Sequence, residues 1–156
     1  MIFVGIDPGL TGGIAAIFAT SAPAVVDMPT MQLGKTGFVK NAVDLNALAL
    51  ILGVYADLGA TVFIERVNAF PGQGVSSMFS LGMSFWGAAG VCAGLGLPVH
   101  LVAPGEWKAH FKLNRDKELA RGLASRLYPV VDLSRKKDHG RAEALLIARY
   151  GQETLK

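Results

Sequence analysis

The chain is poor in the residues that define several large protein classes. It has one cysteine, Cys92, in 156 residues, which excludes an internal disulfide framework and a cysteine-built zinc site. Cys92 lies in an apolar run, the ordinary place of a buried free thiol. Charged residues make up only 17% against 51% hydrophobic. That balance excludes intrinsic disorder and leaves enough apolar side chain for one sizeable core, so a single domain over 1–156 is expected. The N-terminus, Met1-Ile2-Phe3-Val4-Gly5-Ile6, lacks the basic leader of a signal peptide, and an intracellular protein is the expectation.

No Asp, Glu, Lys or Arg falls between Arg66 and Glu106. Part of that stretch, Met78 to Val99, is long enough to cross a bilayer. Neither flank carries a basic cluster, however, and a strand-like Pro98-Val99-His100-Leu101-Val102 follows at once. With Gly82, Gly87 and Gly90 set among Met78, Phe79, Phe85, Trp86 and Val91, the run reads as a soluble helix buried on both sides. One side would face a sheet and the other a twin helix about a two-fold axis, so a homodimer joined through Ser76 to Leu95 is expected and no membrane partner. The missing charge is found downstream. Lys and Arg are dense from Lys108 to Arg149, while the net charge is only +3. Basic charge gathered on one part of a fold marks either a polyanion site or a solvated helical face.

Apolar, β-branched segments predict strands at Met1–Asp7, Gly13–Phe18, Ala24–Met28, Thr61–Glu65 and Val99–Val102. Thr30–Lys40 reads as a loop. Asp44 is placed to cap a helix through Leu58, and Pro104 to open a short one to Phe111. Asn114 is placed to cap another helix to Tyr128, and a last helix is expected from His139 to Tyr150, ended by Gly151. A meander followed by alternating strands and helices implies an α/β domain with a mixed five-stranded sheet and helices on both faces.

Two of these strands end in a carboxylate, Asp7 and Glu65. Either alone is explained by a loop cap or a salt bridge. Both at the carboxyl ends of strands, where α/β sheets place their sites, point to Mg²⁺, which takes oxygen ligands and keeps several waters. A third acidic cluster lies in Lys136-Lys137-Asp138-His139-Gly140-Arg141-Ala142-Glu143. His139 and Glu143 share a helical face. Asp138 converges with them only from outside the first turn, where a plain helix cap is the bland alternative.

Gly5-Ile6-Asp7-Pro8-Gly9, Ile64-Glu65 and the acid-bearing Ala142-Glu143-Ala144-Leu145-Leu146-Ile147-Ala148, in this order, resemble RuvC-type Holliday-junction resolvases, closest to their phage and chloroplast branch. The resemblance runs over nearly the whole chain, including Trp107-Lys108. It implies an RNase H-like fold, a homodimer facing four-way junction DNA, and paired nicks made with Mg²⁺ or substituting Mn²⁺. The implied setting is the cytoplasm of a bacterial or phage-infected cell. The metal-holding acids carry over onto Asp7, Glu65, Asp138 and Glu143, with His139 as a further catalytic candidate. Bacterial members keep their last two acids three apart, but position 140 is glycine here, so Asp138, His139 or both fill that place. In a two-metal arrangement Asp7 would bridge ions about 3.5–4 Å apart. Lys108, Lys112, Arg115, Lys117, Lys136 and Lys137 would hold phosphates. Phe70 is a candidate wedge at the crossover or a loop aromatic tucked onto the sheet, and Gly72, Gln73 and Gly74 would allow close approach to DNA.

Three other readings remain. One is a relative that cuts RNA–DNA hybrids as a monomer, against which the long uncharged helix argues because it looks made to pack on a twin. The segment Gly5–Gly13 is also similar to the phosphate loop of sugar kinases and actin-like ATPases, but the chain has no room for their second lobe. A catalytically silent binder of branched DNA would gain nothing from clustered acids.

Overall fold

The computed structural model describes residues 1–34, 37, 39–69 and 71–155. Its centre is a sheet that begins as an antiparallel meander of β1 (Phe3–Asp7), β2 (Gly13–Ile17) and β3 (Ala24–Asp27). The start of the polar segment expected as a loop is instead a strand, β4 (Thr30–Gln32), paired antiparallel with β5 (Asn41–Val43) in a small separate sheet. Its first strand is wholly exposed, so it carries none of the apolar alternation by which strands are recognised. Two further strands, β6 (Thr61–Glu65) and β7 (Val99–Val102), add in parallel, giving the order β3-β2-β1-β6-β7. The expected mixed five-stranded sheet is present.

Side chains alternate across this sheet with the period of two that any strand imposes. Val4, Ile6, Val62 and Ile64 face one core, which is closed by Leu48 and Leu52 of α1 (Leu45–Asp57) and by Phe85, Ala88 and Cys92 of α2 (Val75–Gly94). The carboxylate of Asp44 caps α1 by accepting from the backbone N–H groups of Asn46 and Ala47 at 3.1 and 3.0 Å. Phe3, Ala15 and Phe63 face the other core, built with α3 (Pro104–His110), α4 (Lys117–Leu127) and α5 (His139–Thr154). Asp7 and Glu65 share parity with Phe3 and Phe63, so both carboxylates emerge on the α3–α5 side.

Helix α5 is the central packing element, and residues Ala142 and Ala144 to Ala148 are completely buried. It lies directly on β1, so close that a Cβ added at Gly5 would come within 2.1 Å of the Ala144 carbonyl oxygen. Gly151 does not end this helix, contrary to its reading as a terminator. It lies within α5, and a Cβ there would sit 2.4 Å from the Phe63 ring. Glycine serves that position for close packing. Asn114 likewise does not cap α4. Asp116 does, accepting from Glu118 N–H at 2.9 Å, while Asn114 accepts from Asp116 N–H one turn earlier.

By length and apolarity α2 would suffice to cross a membrane, yet one side of it belongs to the core of the sheet. Among the described residues, the buried positions of α2 are Ser84, Phe85, Ala88 and Cys92 on that side. The other presents Val75, Phe79, Met83 and Trp86, recurring at helical spacing and all exposed, Trp86 by 67%. Gly87 does not belong to this outer surface, because a Cβ there would meet Leu45 of α1 at 2.9 Å, whereas Gly82 and Gly90 have open space beside them.

Candidate active site

Asp7 and Glu65 lie one position beyond the last registered pair of β1 and β6, Ile6 with Ile64. Neighbouring strands run about 4.8 Å apart, so the two acids stand side by side. Helix α5 crosses β1 at Gly5 and delivers Glu143, almost fully buried, to the same place. The electrostatics record the meeting. Burial, followed by the charges of Glu143 and Glu65, pushes the Asp7 carboxyl up to about 7, although its Oδ1 accepts a hydrogen bond from Gly9 N–H at 3.2 Å. Burial also raises Glu65, against the opposing hydrogen bond from Trp107 and with Glu143 adding repulsion.

Three groups from α3 and α4 reach these acids. The indole Nε1 of Trp107 donates to Glu65 Oε1 at 2.9 Å. Lys108 Nζ stands 3.4 Å from Glu143 Oε1 and 4.9 Å above the centre of the Trp107 ring. Lys117, the first residue of α4, acts on both Asp7 and Glu65 and lowers them. Lys108 and Lys117 were expected only as phosphate contacts. The sequence assigns Trp107 no role, and its signals there are its place after the helix-opening Pro104 and the inclusion of Trp107-Lys108 in the family resemblance.

The structure does not bring Asp138 into this cluster. Asp138 is fully buried and closes a 3-10 turn, Lys136–Asp138. Its carboxylate receives the Arg135 guanidinium at 2.6 Å and the Arg135 backbone N–H at 2.9 Å, with Arg141 at 3.9 Å. The hydrogen bonds from Arg135 hold it below the usual carboxylate range. It stands at the cap position of α5 but makes no capping bond. A buried carboxylate with a bidentate guanidinium is already neutralised, so a cation there would first have to displace Arg135. His139 is engaged elsewhere too, with Nε2 3.3 Å from Glu118 Oε1 on α4, while its buried Nδ1 has no partner. Gly140, in the place three before Glu143, has a structural cause. It bridges to Gly12, and a Cβ would fall 2.3 Å from the Thr11 carbonyl oxygen. No acid fits there.

Of the residues expected to meet DNA, Lys108 and Arg115 line a groove of about 870 Å³ together with Asn68, Leu113 and Asn114. Lys112 is exposed and takes a positive φ of 55° at the end of α3. Lys136 and Lys137 are exposed, and their charges act on Glu118 and Asp27. Gly72 uses its freedom at φ 86°, Gly74 precedes the first turn of α2, and Gln73 lines a cleft with Thr11 and Ser76. Phe70 lies outside the described residues.

Among the described residues no three His, Cys, Asp or Glu groups form a ready-made metal cage. Mg²⁺ does not need one, because it is held by one or two carboxylates and keeps its waters. Lys108 and Lys117 offset the clustered charge only in part, since Asp7 remains pushed up. Uncompensated carboxylate oxygen at a strand end suits a hard divalent cation.

No protein-family model and no curated protein sequence matches the chain. Solved structures do. The chain is similar to T. thermophilus RuvC in complex with Holliday junction substrate, with TM-score 0.66 and 17% identity over 97% of this chain and 92% of that one. It is similar also to a second Thermus thermophilus RuvC structure, with TM-score 0.60 and 18% identity over 98% and 96%. With β1 at the centre of a mixed sheet and α5 packed across it, the chain has the RuvC-type, RNase H-like fold.

Proposed function

We propose that the chain is a divalent-metal-dependent endonuclease that resolves four-way DNA junctions. The observation that carries this reading is Asp7, pushed up to about 7 between Glu65 and Glu143, on a fold whose solved example was captured with a Holliday junction substrate. Asp7, Glu65 and Glu143 would hold Mg²⁺, with Mn²⁺ as a substitute. The chemistry such an ion would supply is activation of a water and stabilisation of the departing 3′-oxygen.

The chain's own residues do the rest. Asp7 would serve as a ligand in its ionised form. Lys108 would exchange Glu143 for a phosphate of the cut strand, and Lys117, whose charge acts on Asp7 and Glu65, would hold the same strand over the acids. The groove lined by Lys108 and Arg115 extends that cationic track. Asp138 serves as a buried structural ion pair, which leaves the three clustered acids to the metal.

The exposed stripe of Val75, Phe79, Met83 and Trp86 supports a homodimer. A contiguous apolar surface of this kind marks an interaction face. A symmetric dimer would present one cutting site to each of two opposed strands, giving paired nicks. The test is purified protein with Mg²⁺ on labelled four-way junctions, plain duplexes and RNA–DNA hybrids. Selective cutting of junctions at symmetric positions supports the proposal. Binding without cutting would make the chain a silent junction binder, and preference for hybrids would reassign the substrate.

A further inference from the structure

Trp107 is completely buried on α3, and its ring completes the core between the sheet and α5. A buried indole needs an acceptor for its N–H, and a backbone carbonyl serves as well as any. Here the acceptor is the carboxylate of Glu65, 42 residues away in sequence, at 2.9 Å. Among the described residues the hydrogen bond from Trp107 engages Oε1, so the donor restrains the side-chain torsions of Glu65 and leaves Oε2 for another partner. The indole is donor-only: it neither ligates a cation nor loses its proton near neutral pH. Its own position is set by a rigid start to α3, where Pro104 opens the helix and the Glu106 carboxylate accepts from Ala103 N–H at 2.8 Å. The next residue, Lys108, reaches Glu143. One short helix thus touches two of the three acids.

We propose that Trp107 is a positioning residue for the metal: its indole N–H aims Glu65 at the cation and keeps it there. This rests on the metal-binding reading above, and deepens it by assigning the group that orients one ligand. Hydrogen-bond partners of metal ligands typically change metal affinity by about 10–100-fold when removed.

The chain has two tryptophans, and the other, Trp86, is exposed on α2. In a Trp86→Phe protein the tryptophan emission therefore reports Trp107 alone. Titration with Mg²⁺ is expected to shift or quench that emission saturably, and Glu65→Gln in the same background to abolish the response. By calorimetry, Trp107→Phe, which keeps an aromatic filler and removes the donor, should bind Mn²⁺ about 10–100-fold more weakly. Phe111→Leu, a packing change on the same segment, should lower the melting temperature and leave Mn²⁺ affinity unchanged. Emission that ignores Mg²⁺ while calorimetry records binding overturns the inference, as does a folded Trp107→Phe with wild-type Mn²⁺ affinity. A loss in Phe111→Leu equal to that in Trp107→Phe overturns it too, because packing alone would then account for the effect. Wild-type protein that binds neither ion overturns the metal reading itself.

Discussion

Asp7→Asn should make the metal-free protein more stable while removing its activity. Asp7 is half-buried, and burial, Glu143 and Glu65 raise its carboxyl from 3.8 to about 7. Between those two values the folded state holds a proton that the unfolded chain releases, so stability falls as pH rises through that window and levels off above it. A shift of this size corresponds to roughly 4 kcal/mol against folding once Asp7 is ionised, at about 1.4 kcal/mol per unit. Asparagine keeps the oxygen that accepts from Gly9 N–H and places an amide where the charge was. Because the amide is itself buried and the three acids share their repulsion, roughly 2–4 kcal/mol should be recovered at about pH 8. Urea denaturation in the presence of a chelator, at about pH 5 and about pH 8, measures it. The variant should gain little at the lower pH and most at the higher, and Mg²⁺ should stabilise the wild type alone. A variant less stable than wild type at about pH 8 without metal would refute the reasoning, since the carboxylate would then be compensated in place.

Further outcomes follow from the same geometry. Asp138→Asn should retain Mn²⁺ binding by calorimetry but lose roughly 1–3 kcal/mol of folding stability, because the Arg135 guanidinium loses its charged partner. Gly140→Asp, which restores the three-residue spacing of acids, should fail to tighten Mn²⁺ binding and should destabilise by more than about 2 kcal/mol in denaturant melts, because its Cβ meets the Thr11 carbonyl. Phe79→Glu with Trp86→Glu should yield a folded monomer in sedimentation equilibrium where wild type is a dimer, and unpaired nicks in place of paired ones.

The parts of this architecture written locally in the sequence were legible there. The apolar runs ending in Asp7 and Glu65 predict both strands and the side-by-side acids, and Asp44 predicts its helix. What failed was long-range. Gly151 has the look of a helix terminator, and only the Phe63 ring packed against it reveals a different role. Gly87 looked free for a twin helix until Leu45 was found beside it. Asp138, five before Glu143, is one of two residues offered for the ligand's place, and Arg135, three residues earlier, turns back onto it. The bond from Trp107 to Glu65 joins residues too distant in sequence for any local pattern to pair them.

The most direct test of the account is a comparison of wild type and Asp7→Asn on one labelled four-way junction, with binding and nicking measured in parallel in Mg²⁺. The account predicts that the variant binds the junction with near-wild-type affinity and makes no nicks, while the wild type makes a symmetric pair. Substantial Mg²⁺-dependent nicking by the variant would contradict it.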